Sequence, residues 1–171
     1  MSLSEQRYKQ CLVSLQKYWG YDVFRPGQDQ AIRSVCEGQK TLVVFPTGAG
    51  KSLCYQVPAV SFEGLCLVIS PLVALMEDQV KQLQDRAISA SYITSKLGFK
   101  EIEQRLVNAR NGMYDLLYCA PEQLANKRFK RELEELPLSI IAIDEAHCIS
   151  EWGHEFLSLI HISEPTRRIT I

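Results

Sequence analysis

Five short apolar runs begin at residues 41, 65, 89, 115 and 139, and this near-constant interval of about one strand plus one crossover constrains the chain more than any other feature. The runs are Thr41 to Phe45, Leu65 to Ser70, Ser89 to Thr94, Asp115 to Cys119 and Ser139 to Ile143. Each is too short for a helix and apolar on both alternating faces, which is the pattern of strands buried between two layers. Each gap has room for a helix, and two gaps show the period. Leu72, Met76, Val80 and Leu83 fall on one face, as do Phe99, Ile102, Leu106 and Ala109. Such a series predicts an α/β fold with a mostly parallel β-sheet flanked by helices. Ahead of it, residues 4 to 19 and 27 to 37 read as two helices separated by a turn from Gly20 to Pro26.

Composition narrows the class. At 171 residues, 46% hydrophobic and 23% charged, the chain has material for one globular domain. No apolar stretch is long enough to span a membrane, and the first residues carry no apolar export signal. The expected location is therefore cytoplasmic. The six cysteines are scattered singly, without a C-x-x-C pair, and are expected as reduced core residues. A net charge of −1 leaves no general basic footprint, so any nucleic-acid contact must be local. The basic run from Lys127 to Arg131 is followed by Glu132, Glu134 and Glu135 and reads as a salt-laced helix surface.

In parallel sheets ligands bind beyond the carboxyl ends of the strands, and two chemically loaded segments lie there. Pro46-Thr47-Gly48-Ala49-Gly50-Lys51-Ser52 follows the first strand and opens a helix. Its glycines let backbone amides turn inward around an anion, and the helix start adds partial positive charge. Lys51 would reach the β- and γ-phosphates of ATP, and Ser52 would offer its hydroxyl to Mg²⁺. The strict phosphate-loop pattern asks for Gly at position 45, where this chain has Phe45.

The second segment, Ile143-Asp144-Glu145-Ala146-His147, places two acids at the end of a buried strand. Carboxylates there need a cation or an open cleft, although helix N-cap acids would look alike in isolation. In phosphoryl transfer the first acid, Asp144, holds hydrated Mg²⁺ and the second, Glu145, orients or deprotonates the attacking water.

With these motifs in place, the chain resembles the first RecA-like lobe of a superfamily 2 helicase, and specifically the RecQ DNA helicase family. The segments that carry the resemblance are Trp19 to Gln28, Pro46 to Gln56, Ser70 to Val80, Ala120 to Leu124 and Asp144 to Phe156. It implies a RecA-like P-loop NTPase lobe over residues 1–156, a 3′-to-5′ DNA helicase as the whole protein, and work in DNA repair and recombination. It implies Tyr21 stacking on adenine, Gln28 hydrogen-bonding the base edge and Arg25 nearby, with Thr47, Gly48, Ala49, Gly50, Lys51 and Ser52 around the phosphates. Catalysis falls to Lys51, Asp144, Glu145 and His147. Single-stranded and forked duplex DNA would meet Ser70, Pro71, Trp152, His154 and Phe156, since unpaired bases stack on aromatic faces. The location it implies is the bacterial cytosol and nucleoid, or the nucleus of a eukaryote. Large apolar residues before Pro-Thr-Gly also occur in the family.

Two other readings remain open on the residues. One is an RNA helicase of the related Asp-Glu-Ala-His type, which lacks the aromatic run after Cys148. The other is a module that holds ATP without turning it over. Residues 157–171 depart from the family pattern and resemble a translated sequencing-library adapter, so they are expected as a non-native tail. The family's second RecA-like lobe is not in this sequence.

Overall fold

The structure is a computed structural model that describes residues 2–145 in full and the backbone of residues 167–170. The N-terminal helix α1, Leu3–Trp19, is capped at both ends by its own sequence. The Ser2 side chain accepts from the Glu5 amide, the Glu5 carboxylate accepts from the Ser2 amide, and Gly20 closes the helix in a left-handed conformation. Helix α2, Pro26–Cys36, opens with proline at its first position, where the missing N–H has no partner to lose.

The sheet has six parallel strands in the order β1-β6-β5-β2-β4-β3, where β1 is Thr41–Leu42, β2 Leu65–Ile69, β3 Ala90–Ile93, β4 Leu116–Cys119, β5 Leu138–Ile143 and β6 Arg167–Thr170. Helix α3, Leu53–Ser61, joins β1 to β2. Helices α4, Val73–Asp85, and α5, Phe99–Arg110, follow β2 and β3, and a 3-10 turn at Pro121–Ala125 leads to α6, Lys127–Glu134. Two apolar layers result. Residues such as Val68, Met76, Val80 and Ile140 pack on one face of the sheet, and Leu67, Ile69, Leu106 and Ile141 on the other. The α/β class, the parallel sheet and the crossover rhythm are those the sequence predicts.

Three details differ from expectation. The first ladder covers Thr41 and Leu42 rather than Thr41 to Phe45, because β1 is matched by β6 only from Thr41↔Ile169 to Leu42↔Thr170. Leu72 is not on the buried face of α4. It is the N-cap, at φ −100° and ψ 95°, and 52% exposed, while Met76, Val80 and Leu83 form the buried stripe. Phe99 likewise stays 60% exposed, with the Arg128 guanidinium over its ring at 4.6 Å. That arginine also reaches Glu103 at 3.1 Å, and Arg110 pairs with Glu132 and Glu135, so the basic run is the salt-laced surface expected of it.

Cys11, Cys36, Cys54, Cys66 and Cys119 are buried free thiols. Burial pushes the Cys54 thiol up to about 12 and those of Cys66 and Cys119 further still. Cys148 lies outside the described residues. Among the described residues no helix is long and apolar enough to cross a membrane. The stretch 157–171, expected as a non-native tail, contributes β6, which stands between β1 and β5.

Candidate active site

The loop from Pro46 to Ser52 leaves β1 and curls through two left-handed glycines, Gly48 at φ +80° and Gly50 at φ +79°. Side chains other than glycine are strained in that region, so the bend that turns amides toward a phosphate depends on both. Pro46, Thr47 and Gly48 are exposed, whereas Ala49, Gly50, Lys51 and Ser52 are half-buried beneath them. The Ala49 amide donates to Pro46 O at 3.1 Å and closes the turn. Ser52 then serves as N-cap of α3, which directs the helix start at the loop.

Phe45 occupies the place where a strict phosphate loop has glycine. Its ring packs against Gly27 of α2 so tightly that a Cβ on Gly27 would lie 2.7 Å from it. The large residue is accommodated because the neighbouring helix yields the space. This pairing is invisible to a pattern written along one segment.

Gln28 is 3% exposed and bound to the loop. Its Nε2 donates to Gly50 O at 3.0 Å and Ala49 O at 3.4 Å, and its Oε1 accepts from the Arg25 amide at 3.1 Å. Both amide hydrogens are thus spent on the loop, and one lone pair on Oε1 is left for a base edge. Arg25, whose amide bonds Gln28, is exposed, and Tyr21 is 55% exposed.

The acids sit at the carboxyl end of β5. The Asp144 amide donates to Ile69 O at 2.8 Å and extends the ladder with β2, which brings its side chain to the sheet edge that carries the loop. Asp144 is 8% exposed. Burial raises its carboxyl pKa above the usual 3.8, the Glu145 charge adds to that, and the Glu145 amide, donating to Oδ1 at 3.0 Å, and the Lys51 ammonium oppose it. Glu145 itself is held at φ +56°, a left-handed conformation unusual for a residue with a side chain and costing about 1–2 kcal/mol. Such strain persists where surrounding structure fixes it, and it clusters at reactive sites.

The donor set fits Mg²⁺. This ion keeps several waters and takes only one or two protein carboxylates beside substrate phosphates, and Ser52 with Asp144 supplies one hydroxyl and one carboxylate. Among the described residues no cluster of three or more His, Cys, Asp or Glu side chains could hold a metal unaided.

A stability prediction follows from Asp144. In the metal-free fold its proton is held more tightly than in the unfolded chain, so stability falls as pH rises from 3.8 toward the raised value. Asp144→Asn is expected to raise the thermal midpoint of the metal-free protein at pH 7 while weakening Mg²⁺-dependent nucleotide binding. Calorimetry on both proteins checks this, and a lowered midpoint would contradict the assignment of a carboxylate whose desolvation outweighs its partners.

Ser70 and Pro71 lie just past β2 on the same edge. Ser70 is 1% exposed and its hydroxyl has no hydrogen-bond partner among the described residues. His147, Trp152, His154 and Phe156 lie outside the described residues. Three groups next to the site escaped sequence reasoning. Tyr55, Gln56 and Tyr118 are buried polar residues behind the loop, hidden inside runs that read as apolar.

Against known proteins, the profile of the DEAD/DEAH box helicase family matches residues 25–169. The chain is 51% identical over 143 residues to the ATP-dependent DNA helicase RecQ of Bacillus subtilis (strain 168), covering 83% of this chain and 24% of that protein. It is 47% identical over 142 residues to the Pasteurella multocida (strain Pm70) protein of the same name, with 83% and 22% covered. To the ATP-dependent DNA helicase Q-like 5 of Arabidopsis thaliana it is 45% identical over 139 residues, with 81% and 15% covered. The chain thus spans about a quarter or less of the length of these relatives. Among solved structures, the DUF1998 helicase MrfA bound to DNA and AMPPNP superposes with a TM-score of 0.75 at 23% identity, over 99% of this chain and 26% of that one. At that identity the likeness speaks for the RecA-like fold.

Proposed function

Because the chain belongs to the DEAD/DEAH box helicase family, we propose that it is the ATP-binding lobe of a RecQ-type helicase that couples ATP hydrolysis to 3′-to-5′ movement on DNA. The observation that carries this reading is the meeting of the glycine loop and the buried Asp144 at one sheet edge, where the Lys51 charge acts on the Asp144 carboxyl. Identity near one half with proteins named as RecQ helicases supports the substrate class.

In this lobe Lys51 balances charge on the β- and γ-phosphates, and the loop amides hold them in line for displacement. Ser52 and Asp144 would hold Mg²⁺, which supplies Lewis acidity at the γ-phosphate oxygens. The Glu145 carboxylate orients the attacking water and accepts its proton, and His147 follows two residues on. Tyr21, Arg25 and Gln28 face the base. Single-stranded and forked DNA would be met by Pro71, next to the buried Ser70, and by Trp152, His154 and Phe156, in the compartment that holds DNA, for repair and recombination.

A second RecA-like lobe would supply the arginine that stabilises the transition state, worth roughly 10³–10⁵ in rate. The isolated chain is accordingly expected to bind nucleotide and hydrolyse it slowly. The test measures ATP hydrolysis by the chain joined to the remainder of its gene product, with single-stranded DNA or RNA added. Stimulation by DNA exceeding that by RNA is expected. A larger response to RNA, or no response to either, overturns the substrate assignment.

A further inference from the structure

Behind the nucleotide loop, a line of polar side chains crosses a core that is otherwise apolar. Tyr55 of α3 and Tyr118 of β4 are both 0% exposed, and Gln56 is 5% exposed. The Tyr55 and Tyr118 hydroxyls lie 3.2 Å apart, with their rings edge-on at 68°. Gln56 Nε2 donates to the Tyr118 hydroxyl at 3.2 Å and to Gln79 Oε1 at 2.7 Å. None of these bonds caps a helix or completes a strand, so the backbone does not require them. Apolar side chains of the same shape would fill the space without four polar groups to satisfy.

The two ends of the line are informative. At one end Tyr55 interacts with the Ser52 side chain, and the Asp144 charge reaches both phenols. These are the two residues assigned to the metal. At the other end Gln79 projects from α4, the helix that begins three residues after Ser70. A phenol at each of the two middle positions can turn its hydrogen either way. A cation held by Ser52 and Asp144 would change the field that both phenols feel, and a turn of either hydroxyl hydrogen would alter the bond that Gln56 donates to Tyr118 and, through the same Nε2, the one it donates to Gln79 on α4.

We propose that Tyr55, Tyr118, Gln56 and Gln79 form a coupling line that reports metal–nucleotide occupancy to α4, with Tyr118 as its positioning residue. The proposal rests on the reading of the loop and Asp144 as an ATP·Mg²⁺ site.

The experiment is side-chain amide NMR on the 171-residue chain, with the Gln79 resonance assigned by its loss in Gln79→Leu. A non-hydrolysable ATP analogue with Mg²⁺ is expected to shift the Gln79 resonance, whereas the analogue with EDTA leaves it in place. In Tyr118→Phe, analogue affinity should stay within about threefold of wild type while the Gln79 shift disappears. Tyr55→Phe should behave alike, and the wild-type titration alone is decisive should either variant fail to fold. A wild-type chain that binds the analogue without moving Gln79, or a Phe variant that keeps the shift, overturns the coupling line and leaves the nucleotide site standing. A wild-type chain that binds no analogue overturns both.

Discussion

Glu145→Gln is expected to bind ATP with near wild-type affinity and to turn it over on the order of 10²–10⁴-fold more slowly, the usual contribution of a positioned general base. Glutamine has the same length and can still orient a water, but it takes no proton. The backbone strain at φ +56° is common to both residues, so the thermal midpoint should not move by more than about a degree or two. Lys51→Ala separates the two halves of the site. It removes the cation that faces the phosphates, so it should raise the dissociation constant for ATP·Mg²⁺ and depress turnover on the order of 10²–10³-fold. The pair is read by isothermal titration beside a phosphate-release assay on the full gene product. A Glu145→Gln protein that turns over within threefold of wild type would remove Glu145 from the chemistry.

Deleting residues 157–171 is expected to disable the lobe, although that stretch reads as foreign to it. β6 pairs with β5 from Ile140↔Arg167 to Ile143↔Thr170 and with β1 at two positions, and among the described residues it is the sheet partner of β1. Six register pairs are lost with it. At about 0.5–1.5 kcal/mol net per ladder hydrogen bond, the loss is on the order of 3–9 kcal/mol, a large share of the ~5–15 kcal/mol that holds a domain together. It also opens the inner edges of β1 and β5 to association with other chains. Urea unfolding and light scattering measure both effects. An unchanged midpoint in the shortened chain would contradict the sheet order. A foreign origin is compatible with the structural role, because a slot between two parallel strands is filled by backbone hydrogen bonds, and Arg167 to Thr170 contains no proline to interrupt them.

Four of the strands, the helices between them and the placing of the loop and acids at strand ends could be read along the chain because each depends on local periodicity or on a contiguous motif. What could not be read depends on residues far apart. Phe45 is explained by Gly27, the carboxamide of Gln28 by two carbonyls of the loop, and the polarity of Tyr118 by Gln56 and Tyr55. Ser70 and Thr94 show the same limit, since nothing local marks their hydroxyls as buried without partners among the described residues. The exposed position of Leu72 was missed for a different reason. A helical period extrapolates past the helix end, and only the cap conformation places the boundary.

The sheet order also fixes a schedule for folding. Thr41 pairs with Ile169, a separation of 128 residues (169 − 41), while β5 and β2, β2 and β4, and β4 and β3 meet over shorter stretches of chain. At about 5–20 residues per second of synthesis, β1 waits roughly 6–25 s before its partner strand has been made. During that interval the strand feeding the nucleotide loop is an open edge, with Leu42 in it and Val44 just beyond it, 70% and 82% exposed even in the finished fold. The nucleotide pocket is therefore the last part of the lobe to close, and nascent chains stalled before residue 167 present that edge to chaperones and to one another.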